Sequence, residues 1–336
     1  MRNIVAERLL NHRRWLLSSP ATSISSLKLG HSSAVLRVVR DDLLHSQWGG
    51  NKGRKLDALL PEMVFPGAHV LAYGGLQSAH LSSVTAAVAN LGGKTHLLIR
   101  GERPQISTGH HLITSQYASS ISYITRSEYS NRAAMVASHK ERLQTELGAE
   151  VSVIEEGGFQ PAAILGSIRL VSWLSSSKEG LSESEPCDIV IDSGTGTSAI
   201  GFAVAISMLK LPWRVFGVML AGSEDYYRDQ EKSMLEMLQA SDEYRSLDLG
   251  SCPIEWVPRP RPRKFGSLLP GDVEMCRQVA RETGMIMDPI WSLASYEETL
   301  VLSKQQPAKQ VVMYHSGASA LTIQGLAQRF PASFNV

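Results

Sequence analysis

The run Asp188-Ile189-Val190-Ile191 offers no polar face beyond its first residue. A strand of this kind has no side to show to water, so it must sit in a sheet covered from above and below. Similar runs recur at His69-Val70-Leu71-Ala72-Tyr73, Thr95-His96-Leu97-Leu98-Ile99, Val215-Phe216-Gly217-Val218-Met219-Leu220 and Val311-Val312-Met313-Tyr314, with shorter ones at 121–124 and 151–154. Between them lie segments of helical spacing and composition at 78–91, 109–119, 131–147, 162–174 and 197–209. Strands alternating with helices predict an α/β fold of parallel sheets covered by helices. A length of 336 residues gives a prior of about two domains.

The charge balance removes whole classes of partner. A formal net charge of +1 supplies no electrostatic reason to bind nucleic acid or an acidic surface. No apolar run approaches the ~20 residues that span a bilayer. Cys187, Cys252 and Cys276 are scattered with no CxxC spacing, which argues against a metal site or a disulfide framework and suits a reducing compartment. They read as small core side chains. The N-terminal residues 1–14 are Arg-rich and acid-poor. That composition suits an organellar transit peptide, and equally a basic-faced helix docked through Trp15, Leu16 and Leu17. The serine- and glutamate-rich stretch 175–186 reads as a surface connection, and the Pro-Arg repeat at 258–264 as a rigid solvated loop.

Three loops carry the chemistry. Gly49-Gly50-Asn51-Lys52-Gly53-Arg54-Lys55-Leu56 places a lysine among glycines that allow close backbone approach to a ligand. Taken alone, it reads as a basic helix start at the surface. Cations are unfavourable at a helix N-terminus, however, and a bound anion would offset that cost. Lys55 is then a natural phosphate partner, while a desolvated Lys52 can act as a nucleophile. The second loop, Gly74-Gly75-Leu76-Gln77-Ser78-Ala79-His80, puts Ser78 at a helix start, as a plain cap or beside free N–H groups that take a carboxylate. His80 reads as a packed histidine rather than a base. In the third, Gly194-Thr195-Gly196-Thr197 follows a strand and opens a helix, which is the geometry of an anion site. The same loop satisfies the dinucleotide fingerprint, so an NAD(P)-dependent oxidoreductase competes; the acids it needs, Glu224 and Asp225, fall late. That reading also leaves the lysine loop without a role.

Together these residues resemble the fold-type II pyridoxal phosphate (PLP) enzymes, tryptophan synthase β-like in fold, in the branch of D-cysteine desulfhydrase and 1-aminocyclopropane-1-carboxylate (ACC) deaminase. The resemblance runs from Pro20 to Arg329. Its signposts are 50–56, 74–78, 97–101, 194–197, Gly284 with Asp288-Pro289, and His315-Ser316-Gly317. Local variants at 77–80, 262–266 and 324–329 look most like the plant mitochondrial type. The resemblance implies a homodimer, a smaller domain over residues 60–172, a larger one from 1–59 plus 173–336, and PLP between them. It implies that Lys52 carries the cofactor as an imine and that Lys55 with Gly194, Thr195, Gly196 and Thr197 holds its phosphate. Ser78 would meet the substrate carboxylate or assist proton transfer. Asn51, Gln77, Phe265 and Trp291 would line the substrate pocket. Ser292 would face the pyridine nitrogen, and a neutral hydroxyl there leaves that nitrogen unprotonated.

This sequence departs from the family at several of these points. Ala79 stands where many relatives have asparagine, and Ala318 where a glycine is common. ACC deaminases carry a tyrosine-glutamate pair at Trp291-Ser292 and another tyrosine at Phe265, so their loss argues against opening a cyclopropane ring. The expected reaction is α,β-elimination on a small β-thiol amino acid, D-cysteine foremost, in a mitochondrial or cytoplasmic enzyme. Another PLP-dependent lyase or deaminase, or a catalytically weak PLP-binding protein, is the alternative.

Overall fold

In the computed structural model, which describes residues 9–11, 13–28, 35–245, 247 and 252–335, the strand at Cys187–Ser193 is buried at every position. Its neighbours explain why. The larger sheet contains Ser23–Lys28 (β1), Val35–Arg40 (β2), Cys187–Ser193 (β7), Trp213–Met219 (β8), Ile254–Pro258 (β9) and Gln310–Tyr314 (β10), in the order β1-β2-β10-β7-β8-β9. Only the β1–β2 pair is antiparallel. The smaller sheet contains His69–Gly75 (β3), Lys94–Arg100 (β4), Ser120–Ile124 (β5) and Val151–Ile154 (β6), all parallel, in the order β5-β4-β3-β6. Parallel neighbours need crossover connections, and helices supply them.

The helices are Asn51–Met63 (α1), Ala79–Asn90 (α2), Gly109–Tyr117 (α3), Arg126–Ser130 (α4), Arg132–Leu147 (α5), Leu165–Ser176 (α6), Thr197–Leu209 (α7), Glu224–Ala240 (α8), Asp272–Thr283 (α9), Ser292–Gln305 (α10), Ser319–Arg329 (α11) and Pro331–Phe334 (α12). Helix α7 is buried at every position except Ser207 and Leu209, because it runs between the large sheet and α6. Each side chain it fully buries, such as Ile200 or Phe202, contributes about 1.5–3 kcal/mol.

Helix α1 lies at the seam of the two cores. Leu56, Leu59 and Leu60 pack under the small sheet, whereas Ala58 belongs to the large one. A buried ion pair fixes its first turn. Arg54 donates to both oxygens of Asp41 at 2.9 and 2.8 Å, and the Tyr314 hydroxyl donates to the same carboxylate at 2.7 Å. Burial pushes the Asp41 carboxyl up, but Arg54 and Tyr314 outweigh it and hold the group below its ordinary value. Arg54 therefore points into the protein with its own counter-ion and is not part of a cation cluster at the helix start. Asp57 on the same helix accepts from the backbone of Leu17 at 2.7 Å and from Arg169 at 2.9 Å. Leu17 is buried and Trp15 lies under the Arg169 guanidinium, 4.4 Å from it. Residues 1–8 and 12 of the basic N-terminus lie outside the described residues.

The Pro-Arg segment is not the solvated loop its composition suggests. Arg259 is buried, pairs with Glu297 at 3.0 Å and donates to the carbonyls of Pro289 and Ile290 at 3.0 and 3.3 Å. Arg263 pairs with Asp272 and Glu297, and Arg261 with Asp272. The basic run looks hydrophilic locally because its acidic partners are remote in sequence. Cys187 and Cys276 are buried, and all three cysteines are free. Among the described residues no helix is long and apolar enough to cross a membrane.

Candidate active site

The turn before α1 presses on the turn after β10. The Asn51 amide donates to the Ser316 carbonyl at 3.0 Å, and the Gly50 amide to the Asp41 carbonyl at 2.8 Å. Gly50 has φ +74°, and a Cβ there would collide with the Ser316 carbonyl. Only glycine meets both demands. The turn thereby aims Lys52 toward Trp291, whose ring centroid is 5.4 Å from the amine. Burial lowers the Lys52 amine below its ordinary value, while Asp192 and Asp288 oppose the shift. Enclosure favours the neutral, nucleophilic form, and the two carboxylates limit how far it is favoured.

Lys55 lies one turn further along the same face and donates to the Gly157 carbonyl at 2.8 Å. Its amine is pushed down to about 7 by burial and then by the Lys52 charge, against Asp192. Gly157 in turn abuts Thr195, where a Cβ would lie 2.7 Å from the threonine side chain. The Lys55 turn and the 194–197 loop are thus brought together through the 156–158 turn. Thr195 and Thr197 share a hydroxyl hydrogen bond of 2.8 Å. Helix α7 opens at Gly196 with no side-chain cap. A buried helix N-terminus without a cap leaves amide donors pointing into the site, where an anion suits them.

Trp291 forms one wall. Its Cη2 is 3.0 Å from where a Gly194 Cβ would stand, and Phe265 meets its ring edge-to-face at 5.2 Å. Phe265 itself is 46% exposed, so it lies at the rim. Ser292, next in the chain, is fully covered. Its hydroxyl accepts from the Asp288 amide at 2.8 Å, and lies 3.0 Å from Asp288 Oδ2 and 3.2 Å from the Ser319 hydroxyl. Asp288 also accepts from the amides of Ile290 and Trp291 at 3.0 and 2.8 Å.

Ser78 caps α2, its hydroxyl accepting from the Leu81 amide at 3.2 Å. Gln77 donates to the Thr108 carbonyl at 3.0 Å and accepts from the His110 amide at 3.1 Å. It lines a hollow of about 270 Å³ with Leu76, Pro104, Gln105, Ile106, Thr108 and Gln328. His110 bonds Ser82 at 2.9 Å and Thr322 at 3.1 Å and lies near enough to Lys52 to feel its charge. His110 is held down to about 3 by burial and then by the Lys52 charge. His80 is likewise neutral, held down to about 3 by burial and then by Lys55 and Lys52. Gln324 and Gln328 of α11 accept from the Gly109 amide and the Thr108 hydroxyl, sealing the two layers beside this hollow.

Asp192, Ser319 and His110 carry no role in the sequence reading, and Ser316 enters it only within the 315–317 signpost. Asp192 alone left a signal: a carboxylate at the end of an otherwise apolar strand. Asn51 Oδ1, Asp192 Oδ2, Ser198 Oγ and Ser316 Oγ are buried without a hydrogen-bond partner. Unpaired polar atoms beside an enclosed amine and an uncapped helix fit a polar, phosphate-bearing aldehyde cofactor.

Two α/β layers with an amine-bearing helix at their seam and an uncapped helix N-terminus nearby are the architecture of fold-type II PLP-dependent enzymes. A crystal structure described as an ACC deaminase homologue superposes with a TM-score of 0.80 at 20% identity, covering 98% of this chain and 99% of its own. A rice protein named "Putative D-cysteine desulfhydrase 2, mitochondrial" is 34% identical over 97% of this chain and 95% of its own length. The Arabidopsis thaliana bifunctional D-cysteine desulfhydrase/ACC deaminase, mitochondrial, is 26% identical over 76% of this chain and 64% of its own. A scan of protein-family models returned no match. The chain belongs to the D-cysteine desulfhydrase/ACC deaminase family of PLP-dependent lyases.

Proposed function

We propose that this enzyme eliminates the β-thiol of a small amino acid, with D-cysteine as substrate: D-cysteine and water give sulfide, ammonia and pyruvate. The observation that carries this is the half-buried Lys52 amine, shifted toward neutrality, one helical turn from a lysine hydrogen-bonded to the 156–158 turn that abuts Thr195. Lys52 would hold the cofactor, and Lys55 with residues 194–197 its phosphate. Once bound, PLP acts as an electron sink that makes the substrate Cα proton acidic. With the cofactor bound, Lys52 would be the residue placed to take the substrate Cα proton and to hand a proton to the departing thiolate. Trp291 and Phe265 screen this step from water. Ser78, with the free amides at the start of α2, receives the substrate carboxylate.

Neither Phe265 nor Trp291 has a phenol, so ring opening of ACC is not part of this proposal. We further propose a mitochondrial homodimer, supported by the mitochondrial names of two relatives and by the family resemblance. The test is sulfide release by purified protein given D- or L-cysteine. Release from D-cysteine, abolished in Lys52→Ala, is expected. No sulfide from D-cysteine by PLP-loaded protein would refute the substrate assignment.

A further inference from the structure

Three arginines of the Pro-Arg segment share two carboxylates. Arg259, Arg261 and Arg263 all reach Glu297 of α10, and the last two also pair with Asp272 of α9. The side chains of Arg259, Arg263 and Glu297 are at most 6% exposed. Three cations against two anions leave guanidinium N–H groups that no carboxylate meets. Those of Arg259 go to the main chain. Its Nη2 donates to the Pro289 carbonyl at 3.0 Å and its Nη1 to the Ile290 carbonyl at 3.3 Å, while Nε donates to Glu297 at 3.0 Å.

The same turn is held from its other side. Asp288 Oδ1 accepts from the amides of Ile290 and Trp291 at 3.0 and 2.8 Å. Residues 289–291 are therefore gripped at their carbonyls by Arg259 and at their amides by Asp288. Trp291 leaves this turn with its ring centroid 5.4 Å from the Lys52 amine. The arginine cluster fixes the other half of the wall as well. Arg263, two residues before Phe265, is tied to Asp272, to Glu297 and to the Arg261 carbonyl. Phe265 then meets Trp291 edge-to-face at 5.2 Å.

Stability alone does not account for this arrangement, since apolar side chains of similar volume commonly serve as well as a buried ion-pair cluster. What the cluster supplies is direction. A planar guanidinium bonds along several fixed directions at once, which an ammonium does not. Building on the functional reading above, we infer that Arg259 is a positioning residue of the active site: by joining Glu297 to the 289–290 carbonyls it sets where Trp291, and with it Phe265, stands over the site. It acts through Trp291 and not on the substrate.

The test uses full-length protein grown with fluorotryptophan and read by fluorine NMR, with and without PLP. The Trp291 resonance is the one lost in Trp291→Phe. Arg259→Lys keeps a charge opposite Glu297 but cannot also bridge both carbonyls. In R259K the Trp291 resonance is expected to shift or broaden. In Arg261→Lys, which alters no bond to residues 289–291, it should stay in place. An unmoved Trp291 resonance in R259K, or an equal change in R261K, overturns the inference. Should R259K not fold, Arg259→Met combined with Glu297→Met removes cation and anion together; the same displacement is expected there, and its absence is equally fatal. In the loaded enzyme R259K should lose about ten- to a hundredfold in kcat/KM for D-cysteine. The loss should lie in KM, because Lys52 keeps its place; a loss in kcat alone contradicts the positioning role. Failure of wild type to take up PLP through Lys52 would sink the functional reading, whereas an immobile Trp291 in PLP-loaded R259K sinks this inference alone.

Discussion

Replacing Lys55 with methionine should have opposite effects on the cofactor-free and cofactor-loaded protein. Lys55 is buried, and its folded value near 7 compares with an ordinary 10.5. Between those values the unfolded chain binds more protons than the folded one, so wild-type stability rises with pH across that window. At pH 7 the penalty for holding this amine works out at about 4 kcal/mol. Methionine removes it and forfeits the hydrogen bond to Gly157, worth about 1 kcal/mol. Cofactor-free K55M should therefore be more stable than wild type at pH 7, by about 3 kcal/mol. The advantage should shrink as pH rises and vanish above 10.5. The loaded variant should hold PLP more weakly, by about ten- to a hundredfold for one lost charge-assisted bond. Urea unfolding at several pH values, with and without PLP, measures both. A cofactor-free K55M less stable than wild type at pH 7 would refute the claim that Lys55 is held at a cost for the ligand.

Arg54→Met leaves the buried Asp41 carboxylate without its counter-ion, and should destabilise by about 3–5 kcal/mol in denaturant unfolding. Ala318 sits at φ +65°, so Ala318→Gly should stabilise by about 0.5–1 kcal/mol, read as a higher melting temperature. Ser78→Ala should cost about 1 kcal/mol of helix capping. It should lower the rate of sulfide release while leaving the bound-cofactor absorbance unchanged; unchanged turnover would remove Ser78 from the mechanism.

The elements most legible in the sequence are those with no choice of face. Strands β3, β4, β7, β8 and β10 are buried on both sides, so their composition alone marks them. The β1–β2 pair is not read, since Ser23–Lys28 is serine-rich and leaves Ser23 and Ser26 exposed at a sheet edge. Nor is β9, where Ile254 and Trp256 alternate with exposed residues in a five-residue strand. The lysine and glycine-threonine loops are visible because each packs its chemistry into a few consecutive residues. Asp192 and Asp288 stand nearly a hundred positions apart and face the same amine only after β7 and α10 pack together. The Pro-Arg segment misleads for the same reason: Asp272 and Glu297 neutralise it from other elements.

The most direct measurement is borohydride reduction of the PLP-loaded protein followed by peptide mass mapping. The account predicts one pyridoxyl group, on Lys52. A label on Lys55, on another lysine, or on none would contradict it.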